Sequence, residues 1–195
     1  MKVAHLTTVD ISLRYLVLPQ LEAVIAEGGE AIGISAPGPW VEELEAAGIR
    51  HVALPSSTRG MNPLADLRAA RELWHILRAE KPDVLHTHNP KPGLYGRVLG
   101  RLAGVPIVVN TVHGLYAAPD DQWWKRAVVY GLEAIASRFS DAELVQSAED
   151  LELLRRLHIT PAPKLRHLGN GVDLTRFDPS RFTDAALAGV RRELG

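Results

Sequence analysis

Three polar segments of the sequence each follow a short apolar run, and each contains residues able to bind a ligand. The first, residues 8–14, carries Asp10, Ser12 and Arg14 where a helix is expected to begin. Free N–H groups at a helix N-terminus bind phosphate or sugar hydroxyls, and Arg14 adds a positive charge. Asp10 and Ser12 are also residue types that cap helices, so the segment predicts a cap, a binding loop or both.

The second segment contains two histidines. His86 and His88 are two residues apart, so on an extended backbone their rings point to the same side, a spacing that metal ligands also use. The sequence shows no third ligand at a helpful spacing. We therefore expect no metal here. Instead, His88 and Lys91 are predicted to line a polar pocket in which Lys91 is the cation for a phosphate or carboxylate.

The third segment contains Asn110, His113 and Gly114. A lone histidine is more often structural than functional, but His113 lies at the expected carboxyl end of a strand. The glycine that follows it lets a ligand approach the backbone. These positions favour a binding or catalytic role for His113, with Asn110 and Gly114 beside it.

The rest of the sequence must position these three segments. In it, short apolar runs rich in β-forming residues alternate with longer runs of helical period. The predicted strands are residues 2–7, 31–35, 50–54, 83–86, 107–110, 142–146 and 164–168, and the predicted helices are 12–27, 40–47, 63–80, 92–103, 122–139 and 148–157. This βαβ alternation predicts a three-layer, Rossmann-like, doubly wound parallel sheet of about seven strands. In such a sheet, ligands bind outside the carboxyl ends of the strands.

Composition limits the classes of function. A chain of 195 residues with 46% hydrophobic residues can build one core, and a net charge of −1 argues against a broad basic face for nucleic acid. The sequence has no cysteine, which excludes disulfides and thiolate metal sites and allows a reducing cytoplasm. No apolar run reaches the roughly 18 residues of a membrane span, so we expect any membrane contact to be peripheral.

Two patterns in the predicted helices concern packing. Gly93, Gly96, Gly100 and Gly104 do not form a dinucleotide-binding fingerprint, and their spacing predicts close helix packing. The set Leu64, Leu67, Trp74 and Leu77 has helical spacing and predicts a core-facing stripe. The patterns of phosphate-loop nucleotidases and serine hydrolases are absent from the sequence.

A possible membrane contact follows the third segment. Trp123 and Trp124 precede Lys125 and Arg126, and apolar residues come next. Tryptophan rings beside cations suit an anionic lipid interface. The alternative is that one tryptophan packs on the core while the other covers a helix end.

The last motif is Asn170-Gly171-Val172-Asp173, followed by Phe177 and Pro179. It resembles the crossing between the two domains of nucleotide-sugar glycosyltransferases. The segments 7–14, 82–88, 91–93, 104–106 and 111–114 also resemble, in the same order, the N-terminal domain of a family 4 retaining glycosyltransferase of GT-B fold. The similarity is strongest to the bacterial capsule and exopolysaccharide branch.

This resemblance implies that residues 1–170 are the acceptor-binding domain and that residues 171–195 begin a donor-binding domain. It implies that His113 contacts the transferred sugar and that the loop from Asp10 to Arg14 borders the donor phosphates or the acceptor. Many relatives carry two glycines in that loop, where this chain has Ile11-Ser12-Leu13. The implied partners are a nucleotide sugar and a sugar or polyprenyl-linked sugar acceptor, with no cofactor. The chain alone is then expected to transfer no sugar.

Two other functions remain open at this point. One is half of a nucleotide-sugar epimerase of the same two-domain architecture, which would carry acid and base residues in the cleft. The other is an acceptor-binding module without catalysis. The crossing motif and the segment around His113 favour the transferase.

Overall fold

The computed structural model describes residues 1–60, 62–88, 90–117, 120–169, 171, 174 and 178–194. It contains one seven-stranded sheet in the order β3-β2-β1-β4-β5-β6-β7, and every strand pair is parallel. The strands are β1 (Lys2–Val9), β2 (Glu30–Ala36), β3 (Arg50–Ala53), β4 (Val84–His88), β5 (Ile107–Val112), β6 (Ala142–Val145) and β7 (Leu165–His167). The predicted doubly wound parallel sheet is confirmed.

The helices alternate with these strands. They are α1 (Asp10–Ser12), α2 (Leu18–Ala26), α3 (Val41–Ala46), α4 (Pro63–Glu80), α5 (Pro90–Leu102), α6 (Trp123–Ala136), α7 (Ala148–Arg156) and α8 (Asp184–Leu194). A π-helical segment, Leu13–Val17, joins α1 to α2. The first helical region therefore begins at Asp10, and Val9, without a side-chain hydrogen bond, is its N-cap residue. Asp10 or Ser12 was expected to cap the N-terminus of this helix, and that expectation was wrong.

Close packing of α5 on the sheet depends on its glycines. A Cβ at Gly96 would lie 2.7 Å from Leu6 and 2.8 Å from Thr87, and one at Gly100 would lie 2.7 Å from Leu85. The helix can approach the strands this closely only because those positions have no side chain. The prediction from the glycine spacing is confirmed for Gly93, Gly96 and Gly100 but not for Gly104, which follows the helix and whose Cβ would meet nothing within 4 Å. Helix α5 covers the face of β4 and β5 opposite to the candidate site.

The stripe predicted on α4 is partly wrong. Leu64 and Leu67 are 69% and 70% exposed, whereas Ala69, Leu73 and Leu77 are buried. At about 100° per residue, Leu64 lies on the side of the helix opposite to Leu73. The apolar spacing in the sequence fits two different faces, and the face defined by Leu73 is the one that packs on the sheet.

The C-terminal part is described only in pieces. Most of the crossing motif lies outside the described residues, namely Asn170, Val172, Asp173 and Phe177, so the boundary at 170 stays a prediction. Helix α8 has no buried residue. In the part of the chain that the structure describes, no helix combines the length and apolarity needed to cross a bilayer.

Candidate functional site

The carboxyl ends of β4, β5 and β6 bring several polar side chains together. His88 ends β4, and His113 and Gln146 directly follow β5 and β6. His88 is in register with Thr111, so both side chains leave the sheet on the same face. His5, in β1, is in register with His86 and joins them on this face.

A chain of hydrogen bonds runs through four of these side chains. His5 Nδ1 lies 3.0 Å from His88 Nε2, His88 Nδ1 lies 3.1 Å from His113 Nε2, and His113 Nδ1 lies 2.9 Å from Gln146 Oε1. The amide oxygen of Gln146 can only accept, so His113 Nδ1 carries a proton. His113 Nε2 then accepts from His88 Nδ1, and His88 Nε2 accepts from His5 Nδ1. One donor direction thus satisfies the whole chain.

Burial keeps these imidazoles neutral. It lowers the pKa of His86 to about 4 and those of His5 and His88 well below the usual value, and neighbouring histidines lower all three further. The pKa of His113 is also lowered by burial, although its hydrogen bond to Gln146 opposes the shift. At neutral pH, His113 is therefore a neutral hydrogen-bonding group at the edge of the sheet.

Gly114 leaves the backbone beside His113 open. Its φ is +135°, and a Cβ placed there would meet no atom within 4 Å. This conformation favours glycine. The structure thus provides the open approach to His113 that the sequence predicted, while the binding role of Gly114 stays a prediction.

Asn110 faces the other side of the sheet. Its amide donates to Glu143 Oε2 at 2.7 Å and accepts from the Thr87 hydroxyl at 2.8 Å. Glu143 in turn binds Arg97 Nη1 at 2.8 Å, and Arg97 Nη2 binds Glu133 at 2.6 Å. The structure therefore places Asn110 in a buried ionic network under α5 and α6, away from His113.

The first predicted loop lies beside β2. Asp10 is buried, and its carboxylate accepts from the backbone N–H groups of Trp40 and Ile11 at 2.8 and 2.9 Å. Arg14 forms an ion pair with Glu43, with 2.6 Å between Nε and Oε2. Asp10 thus holds the loop after β2, and the charge of Arg14 is already matched. The proposed ligand contacts of Asp10, Ser12 and Arg14 stay predictions.

Lys91 also has protein partners. Its ammonium lies 2.5 Å from Asp66 and donates to the carbonyls of Thr58 and Gly60 at 2.9 and 2.6 Å. These contacts tie the loop after β3 to the start of α5. A phosphate at Lys91 would have to compete with Asp66 for the charge.

Sequence reasoning missed His5, Thr111 and Gln146. Thr111 contributes a hydroxyl 2.7 Å from His86 Nε2. His5 lies in a predicted strand, but only the strand order and the register show that it is paired with His86 of the neighbouring strand β4. Gln146 was predicted to end a strand, and only the order β4-β5-β6 shows that it reaches His113.

The surface of α6 is apolar. Trp123 and Trp124 are 78% and 55% exposed, so the expectation that one tryptophan packs on the core was wrong. The exposed apolar surface continues along the helix through Val128, Leu132 and Ile135. Of the cations, Lys125 pairs with Asp121 at 2.7 Å, and Arg126 lies over the Tyr130 ring.

A concave surface at the opposite edge of the sheet is not part of the candidate site. It is lined by residues that include Arg78, Lys81 and Pro106, at the amino ends of the strands. In parallel sheets, ligands bind at the opposite edge. We therefore place the candidate site around His113.

Comparison with known proteins gives consistent results. Residues 20–171 match the model of the glycosyl transferase 4-like domain. The chain is 33% identical over 144 residues, 73% of its length, to the UDP-Gal:alpha-D-GlcNAc-diphosphoundecaprenol alpha-1,3-galactosyltransferase of Escherichia coli. It is 26% identical over 181 residues, 90% of its length, to the capsular polysaccharide biosynthesis glycosyltransferase CapM of Staphylococcus aureus. The matched regions cover 37% and 46% of those proteins, so the chain spans less than half of their length.

Solved structures agree on the fold. A glycosyltransferase from Rickettsia africae ESF-5 superposes with a TM-score of 0.69 at 19% identity, covering 98% of this chain and 48% of that chain. A putative UDP-N-acetylglucosamine 2-epimerase from Listeria monocytogenes superposes with a TM-score of 0.60 at 12% identity, covering 84% of this chain and 44% of that chain. At these identities the likeness shows only the shared Rossmann-like fold of GT-B proteins.

Proposed function

The chain belongs to the glycosyl transferase 4-like domain family, and from this membership we propose that it is the acceptor-binding side of a glycosyltransferase. The complete reaction moves a sugar from a nucleotide sugar to a glycan or lipid-linked acceptor, with retention at the anomeric carbon. The two curated relatives are transferases, one of them of capsule synthesis and one with a diphosphoundecaprenol-linked acceptor. Their identity to this chain favours a transferase over an epimerase.

The observation that carries this proposal is His113 at the open carboxyl end of β5. Its ring is neutral and is held by Gln146 and His88, and Gly114 beside it gives a ligand access. A neutral imidazole can exchange one of these hydrogen bonds for a sugar hydroxyl without burying a charge. Glycosyl transfer requires stabilisation of the departing diphosphate and of an oxocarbenium-like sugar, so a preorganised hydrogen-bonding group is useful there.

The partners follow from the same proposal. The nucleotide sugar is a substrate and no cofactor takes part in the transfer. Because Lys91 and Arg14 are already ion-paired within the chain, neither of these two cations is free to bind a donor diphosphate. We therefore assign the chain mainly to the acceptor, and we expect weak binding of the nucleotide sugar alone.

Calorimetry with two ligands tests this assignment. We expect the chain to bind a water-soluble, short-chain analogue of GlcNAc-diphospholipid, and to bind UDP-galactose weakly and without transferring galactose. A His113→Gln variant keeps a polar side chain, whereas His113→Ala removes it, so the pair shows whether the ring contributes to binding. Micromolar binding of UDP-galactose without acceptor binding would contradict the proposed division between donor and acceptor.

We propose further that α6 lies against the inner face of the cell membrane, where a lipid-linked acceptor is reached. Trp123 and Trp124 both lie in solvent at the start of the helix, and Val128, Leu132 and Ile135 extend the apolar surface. Tryptophan at the level of the lipid headgroups, with aliphatic side chains beyond it, is the usual composition of an interfacial helix. Because Lys125 is paired with Asp121, apolar insertion contributes more than charge.

Sedimentation with vesicles that contain anionic lipid tests this contact. We expect the chain to sediment with the vesicles, and we expect Trp124→Ser with Val128→Ser and Ile135→Ser to abolish the effect. The matched control is Leu64→Ser with Leu67→Ser, since these leucines are equally exposed on α4. Equal loss in both variants would mean nonspecific adhesion. A dimer that depends on the α6 residues would assign this surface to a second copy instead.

A further inference from the structure

The three buried histidines His5, His86 and His88 lie close enough to one another to bind one ion. We propose that they form a transition-metal site, with Zn²⁺ as the preferred ion, behind His113. Among the described residues, one ring nitrogen from each of the three lies within 4.8 Å of one from each of the others. The proposal rests on this geometry and stands independently of the proposed function.

The distances require little movement. Two nitrogens bound to one tetrahedral Zn²⁺ at 2.0–2.1 Å lie about 3.3 Å apart. His5 Nδ1 and His88 Nε2 are 3.0 Å apart, held by a hydrogen bond that the ion would replace. His86 comes from the same strand as His88 and is in register with His5, so strand pairing already fixes all three backbones. The nitrogen of His86, which lies within 4.8 Å of the other two, would have to move to about 3.3 Å from them by rotation of its ring.

The second ring nitrogens of His86 and His88 already have hydrogen-bond partners. His86 Nε2 lies 2.7 Å from the Thr111 hydroxyl, which leaves Nδ1 for the ion. His88 Nδ1 donates to His113 Nε2 and leaves Nε2 for the ion. A ligating histidine almost always donates its second N–H in this way, which fixes its tautomer and the orientation of its ring. Thr111 and His113 would thus support the site without touching the ion.

The ligand chemistry selects the class of ion. Three imidazoles suit Zn²⁺, Co²⁺, Ni²⁺ or Cu²⁺, whereas Mg²⁺ and Ca²⁺ require oxygen ligands. Since only neutral nitrogen ligands are present, water or hydroxide would complete a tetrahedron at the fourth position. The expectation of no metal depended on the missing third ligand, and His5 supplies it from a distant part of the sequence.

The role that this position allows is structural. The ion would join β1 to β4 and would fix His88, which in turn holds the ring of His113. It would not contact a sugar at His113. Because binding favours the folded chain over the unfolded one, the ion would also raise the melting temperature with increasing concentration.

Metal binding by the untagged, chelator-treated chain tests the proposal. We expect one Zn²⁺ per chain by calorimetry and by elemental analysis, and with Co²⁺ the strong visible absorption of tetrahedral coordination. His86→Gln should raise Kd by more than the roughly 10–100-fold that loss of a supporting partner causes. The matched control is His167→Gln, because His167 is an exposed strand residue outside the cluster.

A second variant covers the case in which His86→Gln does not fold. Thr111→Val keeps all three ligands and removes the hydroxyl partner of His86, so we expect Kd to rise by about 10–100-fold. If the chain binds no Zn²⁺ at one per chain, the three histidines are only hydrogen-bonded neighbours and the proposal is wrong. It is equally wrong if folded His86→Gln binds as tightly as the control.

Discussion

Two buried polar networks occupy opposite faces of the same strands, and they differ in charge and in where they end. One network contains Thr87, Asn110 and Glu143, which are in register across β4, β5 and β6, and its Glu143 binds Arg97 of α5. The histidine network projects from the alternate residues of β1 and β4 on the opposite face. The first network is ionic and closed, whereas the second is neutral and ends at the carboxyl edge of the sheet.

This difference favours a structural role for the ionic network and a ligand-binding role for the histidine network. In the ionic network, Arg97 binds both Glu143 and Glu133, and Glu143 also accepts from Ser140 at 2.5 Å. A network that is satisfied internally has nothing to offer a ligand. The histidine network passes from a buried ring at His5 to a half-buried ring at His113, where one hydrogen bond can be exchanged.

The largest effect is expected from breaking the ionic network. Arg97→Met should lower the free energy of unfolding by about 3–5 kcal/mol, because it leaves Glu143 buried without its cation. Urea denaturation at neutral pH measures this. Arg101→Met is the matched control, since its pair with Asp141 is partly exposed and should contribute no more than about 1 kcal/mol. Equal losses in both variants would mean that burial does not distinguish the two pairs.

The corresponding change in the histidine network should affect catalysis more than stability. If His113 binds the transferred sugar mainly in the transition state, His113→Ala in the active transferase should lower kcat by roughly 10²-fold with a modest change in KM. The measurement is steady-state kinetics together with a melting curve. Near-normal turnover in a folded variant would assign His113 a structural role.

The next largest effect on stability is expected from the packing of α5 on the face of the sheet that carries the ionic network. Gly96→Ala places a methyl group 2.7 Å from Leu6 and 2.8 Å from Thr87, so we expect a loss of about 1–3 kcal/mol of stability. Gly131→Ala on α6 is the control, because its Cβ meets nothing within 4 Å. That change should stabilise the chain by up to about 1 kcal/mol through helix propensity. Similar shifts in both variants would show that α5 can move away from the sheet.

The sequence predicted most of the fold because its signals are local. The apolar runs that predict strands at 83–86 and 107–110, for example, are recognised without knowledge of distant residues. The predicted strands overlap all seven observed ones, and the six predicted helices overlap observed helices, whereas helix α8 was not predicted. The stripe of Leu64 and Leu67 failed because one apolar spacing fits two helix faces, and the sheet decides between them.

The candidate site was less predictable because it depends on pairing between distant strands. His113 and His88 were predicted from their positions after strands, but the role of His5 required the β1–β4 register. Asn110 precedes His113 by only three residues and points to the opposite face. Lys91 and Arg14 were predicted as cations for a ligand, and their protein partners, Asp66 and Glu43, lie 25 and 29 residues away in the sequence.

The histidine network should also make the stability of the chain depend on pH. In the metal-free chain, burial lowers the pKa of His86 from 6.5 to about 4, so below pH 6.5 the unfolded chain binds protons first. The free energy of unfolding should therefore fall by up to about 1.4 kcal/mol per pH unit for this residue, as the pH drops from 6.5 towards 4. Urea denaturation of His86→Gln should show a shallower slope. An unchanged slope would assign the pH dependence to other groups.

The smallest effect on stability, and the sharpest test of the histidine network, concerns the direction of its hydrogen bonds. Gln146 Oε1 makes His113 Nδ1 a donor, and this places the proton on Nδ1 of His88 as well. Long-range ¹⁵N NMR distinguishes this tautomer from the Nε2–H form. In Gln146→Leu the acceptor is lost, so we expect the proton of His113 to move to Nε2, with a change in stability of about 1 kcal/mol or less. The ionic network has no such alternative, because Arg97 can only donate. An Nε2–H tautomer in the unmodified chain would mean that the amide nitrogen of Gln146 faces His113 and that the chain of donors runs in the opposite direction.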